Sequence, residues 1–325
     1  MRGPRHLAGG LSCVVVNVNG LNGDAKRRTL FRRLHEEQHA VTVLCETHCE
    51  GDDRARAWEQ EGAGQGRPWL GHAVWHHGTR QSRGVGVLLD PRYVEGEVTI
   101  HHRDGAGRIL LVGFQDKAGQ RWQVMVVYAP AEAAHRPDFF SGPFAVACAA
   151  RDPAARLLVA GDLNCVMAVA DLQQVEGAVA AHNSRLVGSQ QLRQAASEAG
   201  LVDVWRQLHP DLREFTRHTM SVQGPSAGRT TMWLVDEGLG DEGWVCRCQH
   251  RPGHLPGDHH SVTLEVTPPT QPCWGSGHWS LPLYLLSVPE YVAEAMEVMR
   301  VELAQVPAGG SGADTWEAGP GADMH

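Results

Sequence analysis

The sequence predicts a mixed-sheet α/β domain over about residues 11 to 267. Three observations carry that reading. Short apolar, valine-rich runs alternate with segments whose apolar residues fall at helical spacing. Between residues 84 and 128 four such runs follow one another across tight turn clusters, as in an antiparallel meander. The stretch Arg156 to Asn164 holds an apolar run, Leu157 to Ala160, that suits a strand covered on both faces, and it ends in Gly161-Asp162-Leu163-Asn164.

Each element has its own signal. Leu11 to Val18 reads as the first strand, closed by Asn19-Gly20. From Asp24, expected as an N-cap, Ala25, Leu30, Phe31 and Leu34 are apolar at helical spacing. Lys26, Arg27, Arg28, Arg32 and Arg33 fill the polar face, which reads first as a solvated surface and second as a phosphate contact. Val41 to Cys45 is a second buried strand and ends in Glu46-Thr47-His48; residues 52 to 61 form a short helix or loop. The meander takes 84–89, 94–101, 108–115 and 123–128, turning at Asp104-Gly105 and Ala118-Gly119. A helix between Phe139 and Ala150 precedes the strand that ends at Asp162, where Gly161 is expected to let the backbone turn. Ser184 to Glu198 reads as a helix capped by Ser184 and stopped by Gly200. Residues 230–235, 244–248 and 261–266 supply the closing strands.

Residues 1–10 are an extension, and after Pro268 the composition shifts to Gly, Pro, Ser and Ala. Residues 268–325 therefore read as a connector and tail, amphipathic between Tyr291 and Leu303 and disordered over the last twenty residues. The 325 residues, 42% hydrophobic and 20% charged, suit a globular chain. A net charge of -8 excludes a generally basic nucleic-acid coat but not a cation-binding nuclease, whose site is itself acidic. No apolar run is long enough for a membrane span, and the N-terminus lacks the apolar core of a secretory signal. Eight scattered cysteines, with Cys13, Cys45 and Cys246 inside expected strands, read as reduced thiols of an intracellular protein, nuclear or cytoplasmic.

The strand ends carry one inventory: Asn17 and Asn19, Glu46, Tyr128, Asp162 and Asn164, and Asp258-His259 before the final strand. Hard oxygen donors, amides, a phenol and a histidine suit Mg²⁺ or Mn²⁺ beside a phosphate ester, because such cations prefer carboxylate oxygen and keep water. Zinc would take more nitrogen and sulfur. Taken alone, Asp162 and Asn164 look the same as an Asx-turn closing a strand. Cys246-Arg247-Cys248 with His250 and His254 is spaced one residue too tightly for a zinc pair. His76-His77 and His101-His102 read as surface turns, and Trp58, Trp69 and Trp75 as core rather than base-stacking platforms. Gly84-Val85-Gly86-Val87 lacks the helix-opening context of a dinucleotide fingerprint.

Asn17-Val18-Asn19-Gly20-Leu21, Cys45-Glu46-Thr47-His48, Val127-Tyr128-Ala129-Pro130, Gly161-Asp162-Leu163-Asn164 and Asp258-His259 together resemble the endonuclease/exonuclease/phosphatase superfamily in order and spacing. More narrowly, the chain looks like the apurinic-endonuclease-like domain of LINE-type (non-LTR) retrotransposons, and Gly277-His278-Trp279-Ser280-Leu281-Pro282 resembles the connector towards reverse transcriptase. The resemblance implies a DNase I-like four-layer sandwich, two mixed β-sheets flanked by helices, and a Mg²⁺-dependent phosphodiesterase that nicks DNA. DNA is the expected partner; the apolar runs are too short to expect a membrane, and no obligate protein partner is inferred. Glu46 would be the main metal ligand with Asn17 beside it and Asp258 in support. Asp162 would activate water, Asn164 would orient water and phosphate, Tyr128 would bond the phosphate, and His259 would stabilise the phosphoryl oxygens. Asn19 and Arg229 would contact substrate, and the loop Ser221 to Gly228 would bear on target choice.

Two positions depart from the family pattern. Gly228-Arg229-Thr230-Thr231 stands where the family has Ser-Arg-Ile/Leu-Asp, so Thr231 replaces the aspartate that orients the histidine. Crippling such a carboxylate costs on the order of 10⁴ in rate in a Ser-His-Asp enzyme. Asp236, an odd offset along the strand, points to the other face and is no substitute. Cys45 stands where glutamine is usual. Two alternatives stay open: an inactive relic that binds DNA, and a phosphatase acting on a small phosphoester.

Overall fold

The computed structural model describes residues 10–173, 184–221, 224–252, 255 and 257–269, with 292, 293, 296, 297 and 300 beyond them. Its two units are Met1–Pro269 and Thr270–His325, and the fold below belongs to the first. The stretch 291–303 lies largely outside the described residues; the connector motif, the last twenty residues and His254 lie wholly outside them.

In chain order the strands are β1 (Leu11–Asn17), β2 (Val41–Cys45), β3 (His72–His76), β4 (Val85–Leu89), β5 (Val94–Arg103), β6 (Ile109–Asp116) and β7 (Arg121–Tyr128). They continue with β8 (Arg156–Asp162), β9 (Leu201–Asp203), β10 (Arg217–Ser221), β11 (Gly224–Gly228), β12 (Thr231–Asp236), β13 (Val245–Arg251) and β14 (Ser261–Thr267). One mixed sheet runs β13-β14-β1-β2-β4-β3, the other β5-β6-β7-β8-β12-β9, and β10-β11 is a separate hairpin. The inward faces share one core, in which Val15, Val43 and Val262 of the first sheet meet Val124, Val126 and Trp233 of the second. Trp233 also donates its indole N–H across to Val262 O at 2.9 Å. A buried tryptophan of this kind is worth about 3–5 kcal/mol against alanine.

Helices cover the outer faces. α1 (Asp24–Glu37) and α2 (Asp52–Glu61) bury Leu30, Phe31, Leu34 and Trp58 against Val14, Val16 and Leu44. Arg136–Phe139, a π-turn over Phe140–Phe144 and Ala145–Ala149 form one irregular helical stretch, which packs with Ser189–Glu198 on the second sheet. This is a four-layer α/β sandwich.

Several details correct the sequence reading. The meander has three strands, β5 to β7; β4 instead pairs with β2 and β3. Its run, apolar throughout, carries nothing that says which sheet it joins. His76, expected in a surface turn, lies in β3, half-buried, with Nε2 2.9 Å from Asp104 Oδ1. His101 and His102 lie in β5, half-buried. The helix expected over Ser184 to Glu198 is helical from Ser184 but broken at residues 187–188, where Gly188 has φ 95°, and resumes as Ser189–Glu198; α1 starts at Asp24 behind Gly23 as the cap. Gly161 makes no turn: it sits within β8, where a Cβ would lie 1.7 Å from Val127 O, so close approach of β7 requires glycine. Trp58 and Trp75 are buried against each other, ring centroids 5.9 Å apart.

Candidate active site

Parallel strands β1 and β2 end together, with Asn17 opposite Cys45, and β7 and β8 end together, with Tyr128 opposite Asp162. Open α/β sheets present chemistry at such carboxyl ends. The loop after β1 is tied to the loop after β2: Val18 N donates to Cys45 O at 2.9 Å, Gly20 N to Glu46 O at 2.7 Å and Leu21 N to Thr47 O at 3.0 Å. At Gly20, φ +79°, a Cβ would strike the His48 ring at 2.7 Å. Glu46 itself has φ 55°, a strain on the order of 1–3 kcal/mol for a residue with a full side chain. On the second sheet, Ala129 N donates to Asp162 O at 3.0 Å and Leu163 N to Thr230 O at 2.8 Å. Thr231 lies opposite Asp162 in the antiparallel register.

These ties bring the five strand-end motifs into one place. One ligand atom from each of Glu46, Asp162 and His259 lies within 4.8 Å of the others. Donors on opposite sides of a small hard cation lie about 4 Å apart, so this spacing fits one divalent ion at Glu46, with Asp162 and His259 within reach of the water and phosphate beside it. Asp162 is almost fully buried, and Asn17 Nδ2 donates to its Oδ2 at 2.9 Å while Asn164 N donates to Oδ1 at 3.0 Å. Burial works against the Asp162 charge, but the neighbouring His259 and Arg217 charges and the Asn164 N–H outweigh it and hold the carboxyl below its ordinary range.

His259 Nε2 lies 3.6 Å from Asp162 Oδ2 and 3.5 Å from Asn17 Nδ2, and Thr231 Oγ1 is 3.3 Å from His259 Nδ1. Tyr128 donates its hydroxyl to Glu46 Oε1, so this phenol bonds the carboxylate. Asn164, left-handed at φ 48°, donates Nδ2 to Ala129 O at 3.0 Å. Asn19 is exposed and its N–H donates to Asn17 Oδ1 at 3.0 Å. Asp258 lies at the edge, its Oδ1 4.0 Å from His259 Nε2. Asp236 is remote: it stands opposite Leu201 and accepts from Gly238 N at 3.0 Å.

Arg229 does not join the site. It is fully buried, with Nε 2.9 Å from Asp171 Oδ1, Nη1 3.0 Å from Asp203 Oδ1, and the guanidinium 5.0 Å from the Trp205 ring. Two carboxylates neutralise it inside the domain, so it cannot meet a substrate. Cys246 and Cys248 lie in β13, and His250 stacks on Trp205, so these residues form no metal cluster among those described.

Three cations take places the sequence reading did not give them: Lys26 and Arg27 were read as a solvated face, and Arg217 was not singled out. Lys26 leaves the basic face of α1 to donate to Asn19 O at 3.1 Å; burial lowers its ammonium, with Glu46 and Asp258 pulling the other way. Arg27, on the same expected polar face, is buried against Asp24 and Glu61 at 2.6 Å each. Arg217 donates Nη1 to Asn164 Oδ1 at 2.9 Å and Nε to Asp258 Oδ2 at 3.3 Å. No local pattern announces Arg217, because β10 is short and polar.

No protein-family model matches the chain. It is 27% identical over 206 residues to the uncharacterized 149 kDa protein of transposon TX1 from Xenopus laevis, a match over 63% of this chain and only 14% of that protein. The AP endonuclease LMAP from Leishmania major superposes with a TM-score of 0.64 at 19% identity, over 80% of this chain and 88% of its own. The endonuclease domain of TRAS1, a telomere-specific non-LTR retrotransposon, gives 0.54 at 11% identity, over 79% and 98%. The chain therefore has the DNase I-like fold of these endonucleases, and the resemblance to the endonuclease/exonuclease/phosphatase superfamily read from its strand ends holds at the level of the fold.

Proposed function

We propose that residues 11–267 form a divalent-metal-dependent phosphodiesterase that nicks DNA, the endonuclease of a non-LTR retroelement. The observation that carries this reading is the convergence of Glu46, Asp162 and His259 within 4.8 Å, from three strand ends distant in sequence. Glu46, with Asn17 beside it and Asp258 at the edge, would hold Mg²⁺ or Mn²⁺, which when bound supplies Lewis-acid stabilisation of phosphoryl charge. Asp162, kept ionised, accepts a proton from the attacking water while Asn164 orients that water. As water oxygen bonds to phosphorus the P–O bond to the leaving sugar oxygen breaks, and that oxygen takes a proton from solvent. His259 donates towards a non-bridging oxygen, and Asn19 contacts the backbone. Tyr128 holds Glu46 in place. Most of the catalysis is positioning and charge stabilisation.

The DNA substrate is supported by the named activities of the similar structures, AP endonuclease and retrotransposon endonuclease. No described helix is long and apolar enough to cross a membrane. The described cysteines are free and all but one of them buried, which suits a reducing intracellular compartment. Thr231 favours one rival, a DNA-binding relic without activity. A supercoiled-plasmid nicking assay with Mg²⁺, with and without chelator, decides between them. Chelator-sensitive nicking that Asp162→Ala abolishes is the expected result; no nicking at micromolar protein would reject the enzyme.

A further inference from the structure

Glu46, Asp162 and Asp258 place three carboxylates where an anionic phosphodiester must come, so the site needs fixed positive charge besides any ion it holds. Arg217 is placed to supply it. Its backbone pairs with His259 in an isolated bridge, and its side chain reaches back to Asn164 Oδ1 at 2.9 Å and Asp258 Oδ2 at 3.3 Å. Those bonds take two of the five N–H donors of a guanidinium, and 31% of the side chain remains exposed. The neighbouring arginine Arg136 is spent differently: it donates to the backbone carbonyls of Pro130, Ala131 and Ser184. Arg185 donates to Thr219 Oγ1 at 3.1 Å and Ser226 Oγ at 3.3 Å, within the β10-β11 hairpin. Thr231 brings no charge to His259, whereas an arginine stays cationic whatever its neighbours do.

We propose that Arg217 grips the scissile phosphodiester: its guanidinium donates to a non-bridging oxygen and stabilises the charge that gathers there during hydrolysis. This rests on the phosphodiesterase reading. A bare strut tying β10 to Asn164 and Asp258 is the competing role, and a glutamine amide could still serve as one.

The test compares full-length wild type, Arg217→Gln and Arg217→Lys in two measurements. The first is binding of a fluorescein-labelled duplex in EDTA over a range of salt. The second is Mg²⁺-dependent nicking. A phosphate contact predicts that Arg217→Gln flattens the slope of log affinity against log salt by about 0.9. It also predicts a fall in kcat of about 10²–10³. Arg217→Lys should keep the slope and recover part of the rate. Wild-type slope and rate in Arg217→Gln would overturn the proposal, as would a wild type that binds no DNA. A wild type that shows the Arg217-dependent slope but never nicks would reject the nuclease reading and leave the phosphate contact standing. If Arg217→Gln does not fold, Arg217→Lys decides: kcat about tenfold or more below wild type supports the paired donors of arginine, and an equal kcat overturns them.

Discussion

Thr231 Oγ1 lies 3.3 Å from His259 Nδ1, so a hydroxyl and not a carboxylate steadies the ring that faces Asp162. Thr231 is fully buried and in register with Asp162, so its hydroxyl is held in place beside the ring. A hydroxyl fixes direction but adds no negative charge. Thr231→Asp is therefore expected to raise the nicking rate by about one to two orders of magnitude, a part of the roughly 10⁴ that an orienting carboxylate commands elsewhere. Initial rates on supercoiled plasmid measure it; an unchanged rate would dismiss this account of His259.

Tyr128 acts on Glu46 through its hydroxyl, and burial together with the Glu46 charge pushes the phenol well above its usual range, so it stays a donor. Removing a partner that orients a metal ligand typically costs about 10–100-fold in metal affinity. Tyr128→Phe should raise the half-saturating Mg²⁺ concentration by such a factor, with a smaller change in the rate at saturation. Superimposable Mg²⁺ titrations for the two proteins would show that the phenol does not position Glu46.

Arg229, with Asp171 and Asp203, is a structural ion cluster beneath Trp205. Burial works against the Asp171 charge, and Arg229 and Arg206 outweigh it, so the carboxyl sits low and the pairing persists through neutral pH. Arg229→Met leaves buried carboxylates uncompensated and should cost about 3–5 kcal/mol in urea denaturation. If Arg229→Met keeps full stability yet loses DNA binding, the substrate role would have to be reinstated.

His250 stacks on Trp205 with centroids 4.6 Å apart and planes 17° from parallel. Burial, reinforced by the Arg229 charge, pulls its pKa down to about 3. The unfolded chain takes up this proton as pH falls below about 6.5, and the folded chain resists until near the lower value. The group is neutral in both states above that range, so its effect is confined to the acid side. Stability should decline from mildly acidic pH downwards by up to about 1.4 kcal/mol per pH unit from this residue. His250→Phe, which can keep the stack, should show a shallower decline in urea denaturation at acid pH. Parallel curves for wild type and variant would refute the assignment.

The sequence by itself determined the α/β class, most of the strands and the chemistry of the rim, while the four layers entered with the family resemblance. Period-two and continuous apolar runs specify strands, and helical spacing specifies α1, because both depend only on which local face is buried. Polar residues just past an apolar strand have little local reason to be there, so Asn17, Glu46, Tyr128, Asp162, Asn164 and His259 were legible as a set. Tertiary structure alone decided which sheet β4 entered, because a strand buried on both faces offers the same apolar surface to either. It also decided the fate of each charge. Arg229 and Arg217 look alike in sequence, yet one is neutralised inside by Asp171 and Asp203 while the other stands at the rim against Asn164 and Asp258. An ionic side chain takes its role from the partners that folding brings to it, and those lie tens of residues away along the chain.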